Sequence, residues 1–395
     1  MVDRERLRRL HAREREQFVT NHPRSAELFA RAAEHMPHGV PMSWMAKWPG
    51  DFPVFVESAS GAHFTDADGI NYIDLCLGDT GAMAGHSPAE TVAAVTKSLP
   101  HGITTMLPGS PAIEVSGELS ARFGLPFWQF TLSATDANRH AIRYARALTG
   151  RGKIVVHDFC YHGSVDEAFA TRDESGRTIN RRSNIGPPVD TAETTIVVPF
   201  NDIDALRTAL ATGDVAAVLI EPALTNIGIV LPDAGYHDAV RELCTRFGTL
   251  LIIDETHTIC TGPGGYTAAH ALSPDLLVIG KAIGGGIPCG TFGMSAEVAA
   301  RVEKVVALED IDVGGIGGTL AGNTLSMTAM AATLGSVLTP AAFERMIPLG
   351  ERWADGVAAG IERHGLPWRV TRLGCRAEYA FSPELPHDGA EAAAA

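Results

Sequence analysis

Two stretches, TLLIIDE (Thr249–Glu255) and DLLVIGKAIGGGIPCG (Asp275–Gly290), decide how this chain is read. Each opens with a short, nearly continuous apolar run that closes on charge. Strands apolar on both faces are what a parallel sheet covered by helices requires. Three more runs share the pattern: KIVVHD (Lys153–Asp158), TTIVVPF (Thr194–Phe200) and VAAVLIEP (Val215–Pro222). Helical patterns lie between and beside them, at Asp136–Leu148, Ile203–Ala211 and Tyr236–Phe247. This alternation predicts a doubly wound α/β domain. In such folds ligands sit beyond the carboxyl ends of the strands. The residues closing the runs are therefore the ones to examine: Asp254 with Glu255, Glu221, and Lys281.

Outward from this centre the pattern changes. Residues from Arg4 to Glu34 read as charged helices broken near Asn21–Pro23, and Met36–Pro53 as an irregular segment rich in Pro, Gly and Trp. VFVESASGAHFTDADGINYIDL (Val54–Leu75) alternates apolar and polar residues, with turns expected at Gly61 and Gly69, and predicts a small antiparallel meander. From about Phe343 an amphipathic helix and a strand around Arg376–Phe381 are expected. The division this suggests is an N-terminal segment with part of a small α+β domain (1–80), a large mainly parallel-sheet domain (81–335) and a C-terminal part of the small domain (336–395).

Bulk properties exclude some functions. A net charge of −14 argues against a nucleic-acid partner, because phosphate binding needs a basic excess. Apolar residues at 45% and charged ones at 20% are the balance of a soluble globular protein. The six cysteines are scattered with no CxxC pair, which is neither a disulfide framework nor a metal-ligand pattern. Reduced thiols in the cytoplasm fit that usage. The charged start has no apolar signal-peptide core, and no run is long and apolar enough for a membrane span.

Lys281 closes a buried run and precedes AIGGGIPCG. A desolvated lysine amine is a competent nucleophile toward an aldehyde, and the glycines let backbone approach a planar ligand. Taken alone, the lysine reads more readily as a snorkelling side chain before a flexible turn. Asp254 lies 27 residues earlier, a spacing that suits one βαβ unit. A buried carboxylate needs a cation, and a protonated pyridine nitrogen is one. A helix cap or an ion pair with the lysine would also use it. SATDANRHAIRYARALTG puts Ser133, Ala134 and Thr135 at a helix N-terminus, an anion site unless they only cap. Thr319, after a glycine-rich turn in GGIGGTLAGN, is a second phosphate candidate. Tyr161 in CYHG follows a strand, where an aromatic stacks on a planar ligand or joins the core.

In this order the segments resemble the class III, fold-type I aminotransferases, which use pyridoxal 5′-phosphate (PLP). The similarity is greatest to the branch with glutamate-1-semialdehyde aminomutase and the amine and β-amino-acid transaminases. It runs from DADGINYIDL (Asp66–Leu75) to LGCRAEYAF (Leu373–Phe381), and IGKAIGGGIPCG (Ile279–Gly290) is its most specific element. The resemblance implies that Lys281 forms the Schiff base and moves the proton, while Asp254 holds the pyridine nitrogen. It implies Ser133, Ala134 and Thr135 at the phosphate, with Tyr161 and Thr256 on the two ring faces. Glu221 would lie near the phenolic oxygen, and Thr319 would serve the phosphate of a second subunit in a homodimer with shared sites. The activity implied is amino transfer from an amine or amino acid to a keto or aldehyde acceptor. An aminomutase or a racemase is the alternative.

Departures from the family pattern bear on substrate. Ala134 and Asp136 replace the usual glycine and glutamate, and Thr256–His257 put polar groups where an apolar residue is usual. The loop HGVPMSWMAKWPG (His38–Gly50) holds Trp44 but no arginine of the kind that clamps a β-amino-acid carboxylate. Trp44, His257 and Arg376 are the substrate candidates. Hydrophobic amines are the expected donors unless Arg376 faces the site. Family members are expected to continue further after the AEYAF segment. A dinucleotide-binding oxidoreductase is disfavoured, because neither glycine cluster gives G-x-G-x-x-G between strand and helix.

Overall fold

The computed structural model describes residues 3–182 and 184–395. The chain forms two compact units: one runs to Asp79 and takes in Gly85–Pro88, the other comprises Thr80–Ala84 and Ala89–Ala395. In the first, α1 (Arg4–Asn21) and α2 (Pro23–Ala32) precede the meander β1 (Val56–Ser60), β2 (His63–Asp66) and β3 (Asn71–Ile73). Its turn glycines, Gly61 and Gly69, take φ of +56° and +81°, as tight turns require. The second turn also caps a helix. The Asp68 carboxylate accepts from the N–H groups of Arg24 (2.6 Å) and Ser25 (3.0 Å) in the first turn of α2.

The second unit begins with α3 (Ala89–Ser98), α4 (Pro111–Phe123), β4 (Phe127–Thr131), α5 (Ala134–Thr149) and β5 (Lys153–His157). A small hairpin of β6 (Ala170–Arg172) and β7 (Thr178–Asn180) precedes α6 (Thr191–Thr194) and β8 (Thr195–Val198). Then come α7 (Ile203–Leu210), β9 (Val215–Ile220), α8 (Tyr236–Phe247), β10 (Leu250–Asp254), α9 (Gly265–Ala269) and β11 (Leu276–Gly280). The unit continues with β12 (Gly290–Met294), α10 (Ala296–Val305), α11 (Thr324–Ala332), α12 (Pro340–Arg363), β13 (Arg369–Leu373) and β14 (Arg376–Ala380).

Seven strands form one sheet in the order β4-β12-β11-β10-β9-β5-β8. Neighbours from β11 to β8 are parallel, and only β12 runs against both of its own. The five apolar runs are thus five consecutive parallel strands. Every residue of β9, β10 and β11 is buried, which explains their unbroken hydrophobicity. One core joins Ala137, Ala141 and Tyr144 of α5 to β5, β9 and β10. A second joins Val115 and Leu119 of α4 and Met327 and Met330 of α11 to Leu277 and Ile279 of β11. Each large side chain so buried stabilises the fold by about 1.5–3 kcal/mol. Helix α5 starts two residues before the periodicity suggests, because the Ser133 hydroxyl accepts the Asp136 N–H at 3.2 Å and sets the cap there. Among the described residues no single helix is long and apolar enough to cross a membrane.

Candidate active site

Strand β10 lies between β9 and β11, with Ile253 paired to Ile220 and Asp254 to Val278. Three neighbouring strand ends therefore deliver Glu221, Asp254 and Lys281 to one edge.

Asp254 is buried. Its Oδ2 accepts from Asn138 Nδ2 at 2.8 Å and lies 3.0 Å from His162 Nδ1, while Oδ1 accepts the Thr256 N–H at 3.0 Å. Burial opposes its ionisation, but the bond and charge of His162 and the Thr256 and Asn138 donors outweigh it, so its pKa is lowered. Burial also opposes a charged His162, yet Cys160 and Asp254 beside it raise the imidazole to about 10. Asp254 is therefore a fixed negative charge whose partner is His162; the lysine-pair alternative left open above is not the arrangement found. Neither Asn138 nor His162 is a candidate in the sequence reading. The available signal was a polar residue beside Ala137 and Ala141 on a buried helix face.

Glu221 is buried, and its carboxyl is pushed up by desolvation. It accepts the Tyr161 N–H at 3.1 Å and the Thr225 hydroxyl. Tyr161 is exposed, with its ring edge-on to Phe169 at 6.0 Å. Thr256 is buried next to Asp254, and its hydroxyl has no partner among the described residues.

Lys281 takes φ +51°, a left-handed backbone that costs a non-glycine residue of order 1–3 kcal/mol. The residue before it must be small. A Cβ on Gly280 would lie 3.1 Å from Ala134 Cβ and 3.2 Å from both Ala134 N and Cys289 O. The end of β11 thus abuts the N-terminus of α5, where the first-turn N–H groups of Ala134 and Thr135 have no intrahelical acceptor. Ala134 sits in helix, so it presents the same N–H that a glycine would. The loop after β5 closes on this turn as well. The Ser164 N–H donates to Thr135 Oγ1 at 3.1 Å, and a Cβ on Gly163 would lie only 2.0 Å from that oxygen.

Lys281 Nζ lies 2.7 Å from His257 Nε2; His257 Nδ1 lies 2.9 Å from Thr80 Oγ1 and 3.2 Å from Arg376 Nη1. Arg376 also donates to Glu378 Oε1 from Nε at 2.7 Å and to the Thr225 carbonyl at 3.1 Å. The structure thus joins two of the three substrate candidates to the lysine. Trp44 lies in the first unit and is 65% exposed. Thr319 is on an exposed loop after Gly317 and Gly318, whose φ are +118° and +135°. Helix α5 holds that loop too, through Arg143 donating to the Gly315 carbonyl (2.7 Å) and the Gly317 N–H donating to His140 Nε2 (3.3 Å).

An anion-binding helix terminus, a carboxylate kept ionised, an unpartnered buried hydroxyl and a lysine amine thus share one sheet edge. That donor set fits the phosphate, ring nitrogen and aldehyde of PLP.

Residues 44–374 match the family described as Aminotransferase class-III, and the chain belongs to it. It is a PLP-dependent enzyme of the fold-type I class, as the sequence implied. The glutamate-1-semialdehyde 2,1-aminomutase of Opitutus terrae is 36% identical over 376 residues, 94% of this chain and 87% of that protein. A crystal structure of a glutamate-1-semialdehyde-aminomutase from Pseudomonas aeruginosa PAO1 superposes with a TM-score of 0.96 at 47% identity, covering 99% of this chain and 87% of that one. An omega-transaminase from Sphaerobacter thermophilus gives a TM-score of 0.84 at 31% identity, covering 91% and 83%.

Proposed function

We propose that the protein is a PLP-dependent aminomutase that moves an amino group between neighbouring carbons of one carboxylate-bearing substrate, with glutamate 1-semialdehyde the first compound to test. The observation that carries this reading is Arg376, a cation bridged to Lys281 by His257. A guanidinium there can hold a carboxylate bidentately while the amine reacts. It meets the condition under which the preference for hydrophobic amines lapses. The likeness to aminomutases supports internal transfer over the transaminase reading favoured by sequence alone.

PLP, when bound, supplies an aldehyde for amine chemistry and a ring that takes up electrons. Lys281 Nζ is the amine that holds the cofactor and moves the proton between carbons. Asp254 keeps a negative charge at the ring nitrogen, with His162 and Asn138 fixing its oxygens. Ser133, Ala134 and Thr135 hold the phosphate, Tyr161 and Thr256 flank the ring, and Glu221 orients the phenolic side. We assign Thr319 to the phosphate of a second copy. Exposed Ile103, Met106, Leu107 and Ile113 and exposed Leu308, Ile311 and Leu320 are the apolar surface such a copy would cover.

The test is turnover of glutamate 1-semialdehyde with no keto acid or amine added. The expected product carries the amino group on C1 instead of C2. A strict requirement for a separate acceptor would instead establish a transaminase. An active monomer in light scattering would remove the Thr319 assignment.

A further inference from the structure

Strand β14 carries two opposite charges on one face. Arg376 pairs with buried Leu373 and Glu378 with buried Thr371, so both stand on the side of the hairpin that the fold covers. Tyr379, one position on, points the other way and is exposed. The hairpin turn is pinned to the loop that follows His257. The Cys375 N–H donates to the Cys260 carbonyl at 2.9 Å, and a Cβ on Gly374, at φ +59°, would collide with that oxygen. Arg376 is thereby fixed beside the site, with Nη1 3.2 Å from His257 Nδ1 and Nη2 donating to the Thr225 carbonyl at 3.1 Å.

Glu378 already engages this guanidinium. Nε donates to its Oε1 at 2.7 Å, and Nη2 donates to the same oxygen. The Nε and Nη2 edge is a fork that matches both oxygens of a carboxylate, and Glu378 meets it with one. A carboxylate arriving from outside the strand can present two. The side chains of the pair are 21% and 32% exposed, so a displaced Glu378 passes into water and is not left buried without a partner.

We propose that Glu378 is an internal stand-in for the substrate carboxylate, holding the Arg376 fork in the free enzyme and setting how strongly the site favours substrates that carry a carboxylate. This rests on the reading of Arg376 as the carboxylate holder. A substrate with a carboxylate takes the fork with two oxygens and sends Glu378 to solvent. An amine without one leaves the pair closed and meets a neutralised wall, not an uncompensated cation. Glu378 acts on the substrate only through Arg376, as a positioning residue that determines specificity.

The test measures the dissociation constant of butyrate, a monocarboxylate with no amine to react, on the PLP-loaded enzyme by ligand-observed NMR. Glu378→Gln removes the competing charge, and binding should tighten about tenfold, the worth of one charge-assisted hydrogen bond. Glu378→Asp keeps the charge but draws it back by one methylene, and binding should tighten about threefold. Tightening in the glutamine variant alone is the ordinary effect of deleting a nearby negative charge, and it overturns the stand-in. Weaker or unchanged binding in Glu378→Gln overturns it too, because Glu378 would then orient the fork or leave it untouched. Arg376→Met should weaken butyrate by about tenfold or more. Where that variant does not fold, Arg376→Lys, which keeps the charge and loses the fork, should weaken it in the same direction. Butyrate that binds none of these proteins, or binds as tightly without the fork, removes the carboxylate reading itself. Binding that needs the fork but ignores both Glu378 variants leaves that reading standing and removes only the stand-in.

Discussion

The ends of β10 and β11 are neighbours built in opposite ways. Asp254, at the end of β10, is held by a helix side chain, a backbone N–H and a buried imidazole. Lys281, one residue beyond β11, sits on a strained turn beside His257, which also meets Thr80 and Arg376. The first arrangement is preorganised charge, which stabilises a developing ring charge without reorganising. The second is a chain of exchangeable donors, suited to a group that must attack, release and move protons. One sheet edge thus divides its labour between a fixed half and a movable half.

Breaking the movable half should have the largest effect. Lys281→Ala removes the amine while leaving β11 in place. Turnover should fall by more than about 10³-fold, and the visible band of a lysine-linked cofactor should vanish. A retained band would mean that another lysine holds the cofactor.

Breaking the fixed half is the next step. Asp254→Asn keeps the shape and two of the hydrogen-bonding positions but removes the charge. Single-turnover rates should drop about 10²-fold, equivalent to about 3 kcal/mol, with the cofactor still bound. Rates equal to the wild type would show that the ring nitrogen needs no anion here.

Gly163 sharpens the comparison, because it lies where the loop carrying His162 meets the first turn of α5, which we propose holds the phosphate. Its φ of +77° and a notional Cβ 2.0 Å from Thr135 Oγ1 leave no room for alanine. Gly163→Ala should weaken PLP retention about tenfold, the equivalent of 1.4 kcal/mol of strain, with a smaller change in chemistry once loaded. Unchanged affinity in a fluorescence titration would take Thr135 out of the phosphate site.

The contrast also explains what the sequence made legible. Strand ends declare themselves, since an apolar run must stop where a charge begins, and this gave Asp254, Glu221 and Lys281. The helix N-terminus at Ser133 was readable for the same local reason. His162 and Asn138 were not, because their role depends on a loop and a helix face meeting over β10, contacts 92 and 116 residues apart in the chain. Arg376 was legible only as an option. Whether a strand residue so far along the chain faces Lys281 is settled by packing, and the side chain does meet His257.

The smallest expected effect concerns the fixed half alone and needs no substrate. His162 is raised from 6.5 to about 10, against the pull of burial, by Cys160 and Asp254. The folded protein therefore holds that proton more tightly than the unfolded chain. The resulting stabilisation is complete below about pH 6.5 and is lost as the pH climbs toward 10. His162→Asn places an amide N–H near the position of Nδ1 and keeps a donor to Asp254, but it cannot titrate. The cofactor-free wild type should lose melting temperature between pH 6.5 and 10, and the variant should lose less of it over the same interval. At pH 6 the variant should be the less stable of the two, because a neutral donor replaces a charged one beside a buried carboxylate. Parallel melting curves across that range would mean that Asp254 is held by hydrogen bonds alone and that the charge on His162 contributes nothing to the fixed half.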